Sequence, residues 1–323
     1  MVLGPRVGAR LIMKLARFSL HDETTERLGI VMDADGRARL LDVAALPGGN
    51  AGRLLPRTMM QAIQAGQAGL SALEGARDYA ARYADPAWFH HGDDVRWLTP
   101  VPPRSCIAAG RNFGAHRMES IRGNPQAGAG FQIDFPTGFI KLGRNLVGHK
   151  AEVKRPDDVE QMDYEAEVAV VVGQPLLNAT RDQAKQAIFG YTIMNDLSAR
   201  EWQFAEMRNL LVMMGKNFPG FGPLGPCILT ADEVPDPTAL RLWLKVNGEL
   251  RQQSDCSDLI FQFDELVAFW SRVGLEPGDI ISSGTPEGVA VHRKPDPRPF
   301  FLKPGDIVHA GVDQIGVLET RII

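Results

Sequence analysis

The chain has 323 residues, 44% of them apolar and 23% charged, with a formal net charge of −4. This is the composition of a globular chain long enough for one large domain or two unequal ones. No basic run or aromatic-interleaved basic stripe argues for a nucleic-acid partner, and no stretch nears the ~20 apolar residues of a membrane helix. An anionic ligand must therefore be held by a few local cations rather than by a global field.

Residues 1–13 carry two Arg and no sustained apolar core, so they do not read as a signal peptide. Met13 followed by Lys14 reads like a second start, with residues 1–12 as a disordered extension. Cys106, Cys227 and Cys256 are far apart and form no CxxC pair. Reduced thiols in a cytoplasmic protein fit this better than a disulfide framework or a zinc site.

Residues 14–43 predict short strands, with 27–32 and 38–42 flanking a turn at 33–36. Residues 57–84, rich in Ala and Gln, predict one or two helices. Pro100, Pro102 and Pro103 mark a boundary between an N-terminal domain (1–100) and a second domain (101–323). Strands are expected at 106–110 and 138–142. Between them, His116 and Glu119 are three apart and share a helix face. The loose segment 123–131 reads either as a lid over a substrate or as a plain surface loop. Residues 165–172 form a strong strand pattern. Thr180 and Gln183 open a short helix that Gly190 is expected to close, and 191–194 is the next strand. Asn247-Gly248 is a two-residue hairpin signal. Ser257 is expected to cap a helix running to about residue 272, whose apolar residues at 260–270 would be surface for a second copy. Pro-Gly-Asp-Ile occurs at 277–280 and again at 304–307, each a turn launching a strand. Strands outnumber helices and many are hairpin-linked, which predicts an α+β, strand-rich fold on antiparallel or mixed sheets. The glycine motifs of nucleotide-binding folds are absent.

Glu165 and Glu167 stand two apart on the strand at 165–172, so both carboxylates share a face while Ala166, Val168 and Val170 take the other. A solvent-facing edge is the plain alternative. Asp196 ends another apolar strand about one helix later, as expected of neighbouring strands joined by a crossover. Three carboxylates without Cys or His suit a hard cation that keeps waters, Mg2+ or Mn2+ rather than zinc.

These residues carry a resemblance. Asp163-Tyr164-Glu165-Ala166-Glu167, then Asn195-Asp196 with Arg200 and Gln203, resembles the metal-binding core of the fumarylacetoacetate hydrolase family. Further motifs follow in the family's order: Asn112-Phe113 with His116 and Glu119, Phe139-Ile140-Lys141, Gly215-Lys216-Asn217, Leu224-Gly225-Pro226, and Gly284-Thr285-Pro286-Glu287-Gly288-Val289. The similarity covers about residues 104–323. It implies a mixed β-sheet roll catalytic domain with a smaller N-terminal α/β domain. It implies one Mg2+ or Mn2+ per subunit on Glu165, Glu167 and Asp196, and an acid–base dyad of His116 and Glu119. Lys141, Lys216, Arg200, Gln203 and Thr285 would line the substrate site, and the protein would be a homodimer. Phe113 stands where the family usually has Tyr, and Ala290 where it often has Gly.

The implied activity is hydrolytic cleavage of a C–C bond in a small 1,3-dioxo, acylpyruvate-like acid, in catabolism of aromatic compounds or sugar acids. Decarboxylation, isomerisation or hydration of a 2-oxo dicarboxylic acid is the alternative on the same site, and a non-catalytic metal- or ligand-binding role is the rival from another class. From the residues alone, each cation has a bland counterpart: Lys141 and Lys216 as surface lysines, Arg200 as a structural salt bridge instead of a bidentate substrate grip, Thr285 as a turn cap, and His116 with Glu119 as a solvated pair. His149, His292 and His309 have no matching partners in the sequence and receive no role.

Overall fold

The computed structural model describes residues 12–34, 37–47, 55–102, 104–123 and 134–323. The expected extension at 1–12, the turn at 33–36 and the loop at 123–131 lie wholly or largely outside the described residues. The first part of the chain supplies β1 (Lys14–Leu20), β2 (Arg27–Ala34), β3 (Arg37–Asp42), helix α1 (Met59–Tyr83), β4 (Phe89–His91) and β5 (Val95–Trp97). Next come β6 (Ser105–Ala109), α2 (Gly114–Gly123), β7 (Gly138–Leu142), β8 (Leu146–Val147), β9 (Ala151–Val153) and β10 (Met162–Asp163). Then follow β11 (Ala166–Val172), α3 (Arg181–Gln186), β12 (Ile188–Asn195), β13 (Ser198–Ala199) and α4 (Arg200–Met207). The last part adds β14 (Gly222–Thr230), β15 (Arg241–Val246), β16 (Glu249–Asp255), α5 (Phe263–Trp270), β17 (Ile280–Ser282), β18 (Ile307–Val312) and β19 (Gly316–Ile322).

The strand-rich α+β class is as expected. A large mixed sheet runs β4-β3-β2-β1-β14-β12-β11-β17-β6-β7, and a smaller one runs β16-β15-β18-β19-β9. The N-terminal strands extend the large sheet through β1, which pairs antiparallel with β14. The pleat of β11 divides the core. Ala166, Val168 and Val170 pack with Leu242, Leu244 and Val308 of the smaller sheet, while Ala169 and Val171 join the cluster formed with Met59, Ile63 and Leu73 of α1. Burial on both faces explains why this strand reads as a near-continuous apolar run.

The hairpin at Asn247-Gly248 forms as expected, with both residues at positive φ, 50° and 83°. The two Pro-Gly-Asp-Ile turns reuse one device: Glu276 N–H donates to Asp279 Oδ2 and Lys303 N–H to Asp306 Oδ2, both at 2.9 Å, before β17 and β18 begin. Residues 59–83 form a single helical element with a kink at Gly66.

Four local expectations are corrected. Gly190 does not close a helix: α3 ends at Gln186 with Ala187 as its cap, and Gly190 lies inside β12. A Cβ there would stand 2.3 Å from the Leu229 carbonyl oxygen, so glycine is needed for strand contact, not for a turn. Ser257 caps no long helix either; α5 starts at Phe263, where Gln262 N–H donates to Glu265 Oε2 at 2.8 Å. β11 and β12 are antiparallel neighbours with α3 inserted between them, not strands joined by a crossover. The apolar residues at 260–270 are largely spent inside the chain, since Phe263, Leu266, Val267 and Trp270 are buried. Exposed apolar side chains lie instead at Phe204, Leu210, Leu211, Met213 and Met214.

His149 bridges β5 of the large sheet and β19 of the smaller one. Its Nδ1 accepts from Glu319 N–H at 3.0 Å, and Trp97 meets its ring edge-on at 5.1 Å. Burial, with the nearby Lys150 charge, holds this imidazole down at about 4. A histidine depressed in the fold contributes stability that is present above its unfolded value of about 6.5 and is lost as pH falls toward 4. Melting curves between pH 7.5 and 4.5 should therefore show a loss that His149→Gln reduces, because glutamine keeps the acceptor and cannot charge. An identical pH slope in the variant would contradict this.

Candidate metal centre and acid–base pair

The register of β11 on β12 places the first carboxylates. Ala166 lies opposite Asn195, and Asp196 N–H donates to the Glu165 carbonyl at 2.8 Å. Asn195 Oδ1 accepts the Glu165 N–H at 3.0 Å, fixing the strand end. Glu165, Glu167 and Asp196 thus each bring a carboxylate oxygen within 4.8 Å of the others, and all three are buried. The solvent-facing edge is excluded.

Cations enter from separate segments. Lys141 of β7, fully buried, donates to Asp196 Oδ1. Lys216 donates to Glu165 Oε2 and to Asp196 Oδ2, both at 2.7 Å, and lies 5.0 Å from the centre of the Phe139 ring. The turn carrying Lys216 seats against α4 because residue 215 is glycine; a Cβ there would sit 2.5 Å from the Gln203 backbone nitrogen. Neither lysine is a surface residue.

Arg200 is engaged from within the protein. Its Nε donates to Asp163 Oδ2 at 2.8 Å, Nη2 to Glu165 Oε1 at 2.7 Å, and Nη1 to Gln203 Oε1 at 2.7 Å. The fork that the sequence reading gave to a substrate is taken by the cluster itself. Thr285 is occupied similarly: its hydroxyl donates to the Ala166 carbonyl at 3.0 Å and accepts from Gln252 Nε2 at 2.9 Å. Phe113 is fully buried and bridges to Leu259, so the missing hydroxyl falls in the core. Ala290 serves through its backbone, donating to Asp163 Oδ1 at 2.8 Å.

The charges do not balance evenly. Burial would raise Glu165, but Lys216 and Arg200 hold its carboxyl well below the ordinary range. Burial likewise opposes the Lys216 charge, yet Asp196 and Glu165 keep it firmly protonated. Glu167 is the exception: burial pushes its carboxyl well up, and the charges of Asp196 and Glu165 push further. Its partner is the Ser282 hydroxyl, and among the described residues no ion pair reaches it. A buried carboxyl whose ionisation is opposed by two neighbouring carboxylates fits a donor set that a divalent cation would complete. The triad can hold a divalent ion through oxygens alone, while Lys141 and Lys216 offset the remaining charge.

His116 and Glu119 stand one turn apart on α2, with His116 Nδ1 3.1 Å from Glu119 Oε2. Glu119 also accepts from Gly288 N–H, at 3.1 Å to Oε1 and 3.3 Å to Oε2, which ties α2 to the Gly284–Val289 turn. Burial would raise Glu119, but the hydrogen bond and charge of His116, with the Gly288 N–H, hold it below the ordinary carboxylate value. The pair is 9% exposed at His116, not a solvated surface contact. An ionised Glu119 only accepts, so His116 Nδ1 donates to it, and among the described residues no hydrogen bond reaches His116 Nε2.

Sequence reasoning missed Asp163, Gln252 and Ser282. Asp163 was legible, since Asp163, Glu165 and Glu167 alternate at period two. Gln252 and Ser282 carry no local signal, because only the sheet brings them to β11.

A family model described as fumarylacetoacetate (FAA) hydrolase C-terminal matches residues 105–323. The chain is 30% identical over 315 residues to a Xenopus laevis protein called oxaloacetate tautomerase fahd2, mitochondrial, covering 97% of this chain and 91% of that one. Its structure is similar to 5-carboxymethyl-2-hydroxymuconate delta-isomerase from Mycobacterium smegmatis, at 28% identity and a TM-score of 0.69, covering 96% of this chain and 99% of that one. Maleylpyruvate hydrolase from Sphingobium sp. SYK-6 gives the same identity, TM-score and coverage.

Glu167→Gln should separate the triad's two costs. Without metal the variant should melt close to the parent, since a neutral amide replaces a carboxyl whose ionisation burial, Asp196 and Glu165 already oppose. Added Mn2+ at about 100 times its Kd should stabilise the parent by roughly 2.7 kcal/mol and the variant by much less. Equal stabilisation of both would remove Glu167 from the donor set.

Proposed function

The chain belongs to the fumarylacetoacetate hydrolase family, and from that premise we propose that it is a divalent-metal-dependent enzyme interconverting the keto and enol forms of a small 2-oxo dicarboxylic acid of the oxaloacetate kind. The observation that carries this reading is the buried His116–Glu119 pair, with one imidazole nitrogen free, beside the carboxylate triad. The all-oxygen donor set favours Mg2+ or Mn2+, one per chain, held by Glu165, Glu167 and Asp196. When bound, the ion supplies Lewis-acid polarisation of the 2-oxo group.

The protein's own residues do the rest. His116 Nε2 takes the proton from C3, the C3–H electron pair moves into the C2–C3 bond as the C2–O π pair moves onto oxygen, and His116 returns the proton to that oxygen. No atom is gained or lost. Glu119 sets the tautomer and basicity of His116 and stabilises the imidazolium while it carries the proton. Lys141 and Lys216 supply two buried positive charges that offset the charge of a dicarboxylic substrate. Arg200 and Gln203 act through Glu165, and Thr285 through β11, as positioning residues.

The sequence reading ranked C–C hydrolysis first. Hydrolysis needs a positioned water as well as a base, whereas tautomerisation needs only the base, and the relatives named as a tautomerase and an isomerase support the simpler step. Enol decay of oxaloacetate, followed by its ultraviolet absorbance with Mg2+ present, tests the proposal. His116→Ala should slow turnover roughly 10²–10⁴-fold with Mn2+ binding unchanged, and Glu119→Gln should slow it less. Acylpyruvate cleavage into two acids, without faster enol decay, would overturn tautomerisation in favour of hydrolysis. Loss of Mn2+ binding in His116→Ala would make the imidazole a ligand and overturn its role as the base.

A further inference from the structure

Beside the carboxylate triad, a second set of metal-ligating side chains converges. His116, Glu119 and His292 each bring a donor atom within 4.8 Å of the others. They come from two elements: α2 carries His116 and Glu119, and the 3-10 turn Ala290–His292 carries His292. The imidazole rings of His116 and His292 lie 5.7 Å apart at 50°. The Gly288 N–H bonds to Glu119 hold the two elements together, so the three groups are already gathered without an ion.

We propose that His116, Glu119 and His292 form a second metal site, one that takes a borderline ion such as Zn2+ and, by occupying His116, stops proton transfer. The donor chemistry separates it from the triad. Two imidazoles and one carboxylate are a three-ligand set that leaves a fourth position open and suits Zn2+, whereas three carboxylates suit Mg2+ or Mn2+. His292 is available as a ligand. Burial keeps its imidazole below the ordinary value, with His116 and Arg200 adding to the effect and Glu119 and Asp163 opposing it. The Ser120 hydroxyl, 3.2 Å from His292 Nε2, can turn away about its own χ1. The binding half of the inference is independent of the reaction; the inhibitory half rests on the proposed role of His116.

Equilibrium dialysis of the full chain against zinc chloride with saturating Mn2+, both metals counted by elemental analysis, tests the site. The expected result is one Zn2+ and one Mn2+ per chain. Glu167→Gln should keep the Zn2+, and His292→Phe should keep the Mn2+ while weakening Zn2+ at least about tenfold. If His292→Phe loses Mn2+ as well, the fold has been disturbed and His292→Gln replaces it. No Zn2+ uptake, one-for-one displacement of Mn2+, or equal Zn2+ affinity without the His292 imidazole would each overturn the site. The enol assay then separates the two readings: Zn2+ bound at this set with activity untouched refutes His116 as the base and leaves the site standing.

Discussion

The bond from Asp196 N–H to the Glu165 carbonyl, 2.8 Å long, fixes what the rest of the site depends on. It sets the end of the β11–β12 ladder and brings two carboxylates together in a place that excludes water. Burying them is costly, and the fold meets that cost with Lys141, Arg200 and Lys216, drawn from three separate segments. Removing one partner of such a buried pair typically costs about 3–5 kcal/mol, because the other charge is left uncompensated. The sheet edge at β7, the start of α4 and the turn at Lys216 are therefore held to one another through the cluster. Of the three carboxylates, Glu167 alone makes no ion pair among the described residues.

Much of this was legible in the chain and some was not. The spacing of Glu165 and Glu167 on an apolar run located two carboxylates on one face, and Asp196 at a strand end located the third. The burial of Lys141 and Lys216 was not legible, since a lysine in a Gly-rich or apolar setting looks alike on a surface and in a cluster. Arg200 was given to a substrate because its partners, Asp163 and Glu165, lie 37 and 35 residues away and meet it only through the fold. Gly190 misled for a related reason: after a short helix it reads as a cap, yet the requirement comes from Leu229 on the neighbouring strand. Local signals such as Asn247-Gly248 and the paired Pro-Gly-Asp-Ile turns held because their chemistry is complete within a few residues.

The site divides its donors by kind. Three carboxylates on or next to β11 and β12 gather at one point; two imidazoles and the Glu119 carboxylate, from α2 and the turn at 290–292, gather at another. Glu119, tied to the Gly288 backbone, connects the second group to the segment after β17, and Arg200 connects the first to Asp163 and to the same turn through Ala290. On the proposed reading, an ion held by the carboxylate triad would polarise a 2-oxo acid, and His116, oriented by Glu119, moves its proton. One scaffold can then serve relatives named for tautomerisation, isomerisation and hydrolysis, because those reactions share proton movement beside a 2-oxo group and differ in what else the pocket admits.

Deuterium exchange tests this division of labour most directly. The full chain with Mg2+ is incubated with oxaloacetate in D2O, and label at C3 is followed by nuclear magnetic resonance together with the carbon skeleton. The account predicts wash-in of deuterium at C3 faster than the uncatalysed rate, with the skeleton intact and the acceleration lost on chelation of the metal. Wash-in at the uncatalysed rate, or acceleration that survives both chelation and His116→Ala, would contradict it.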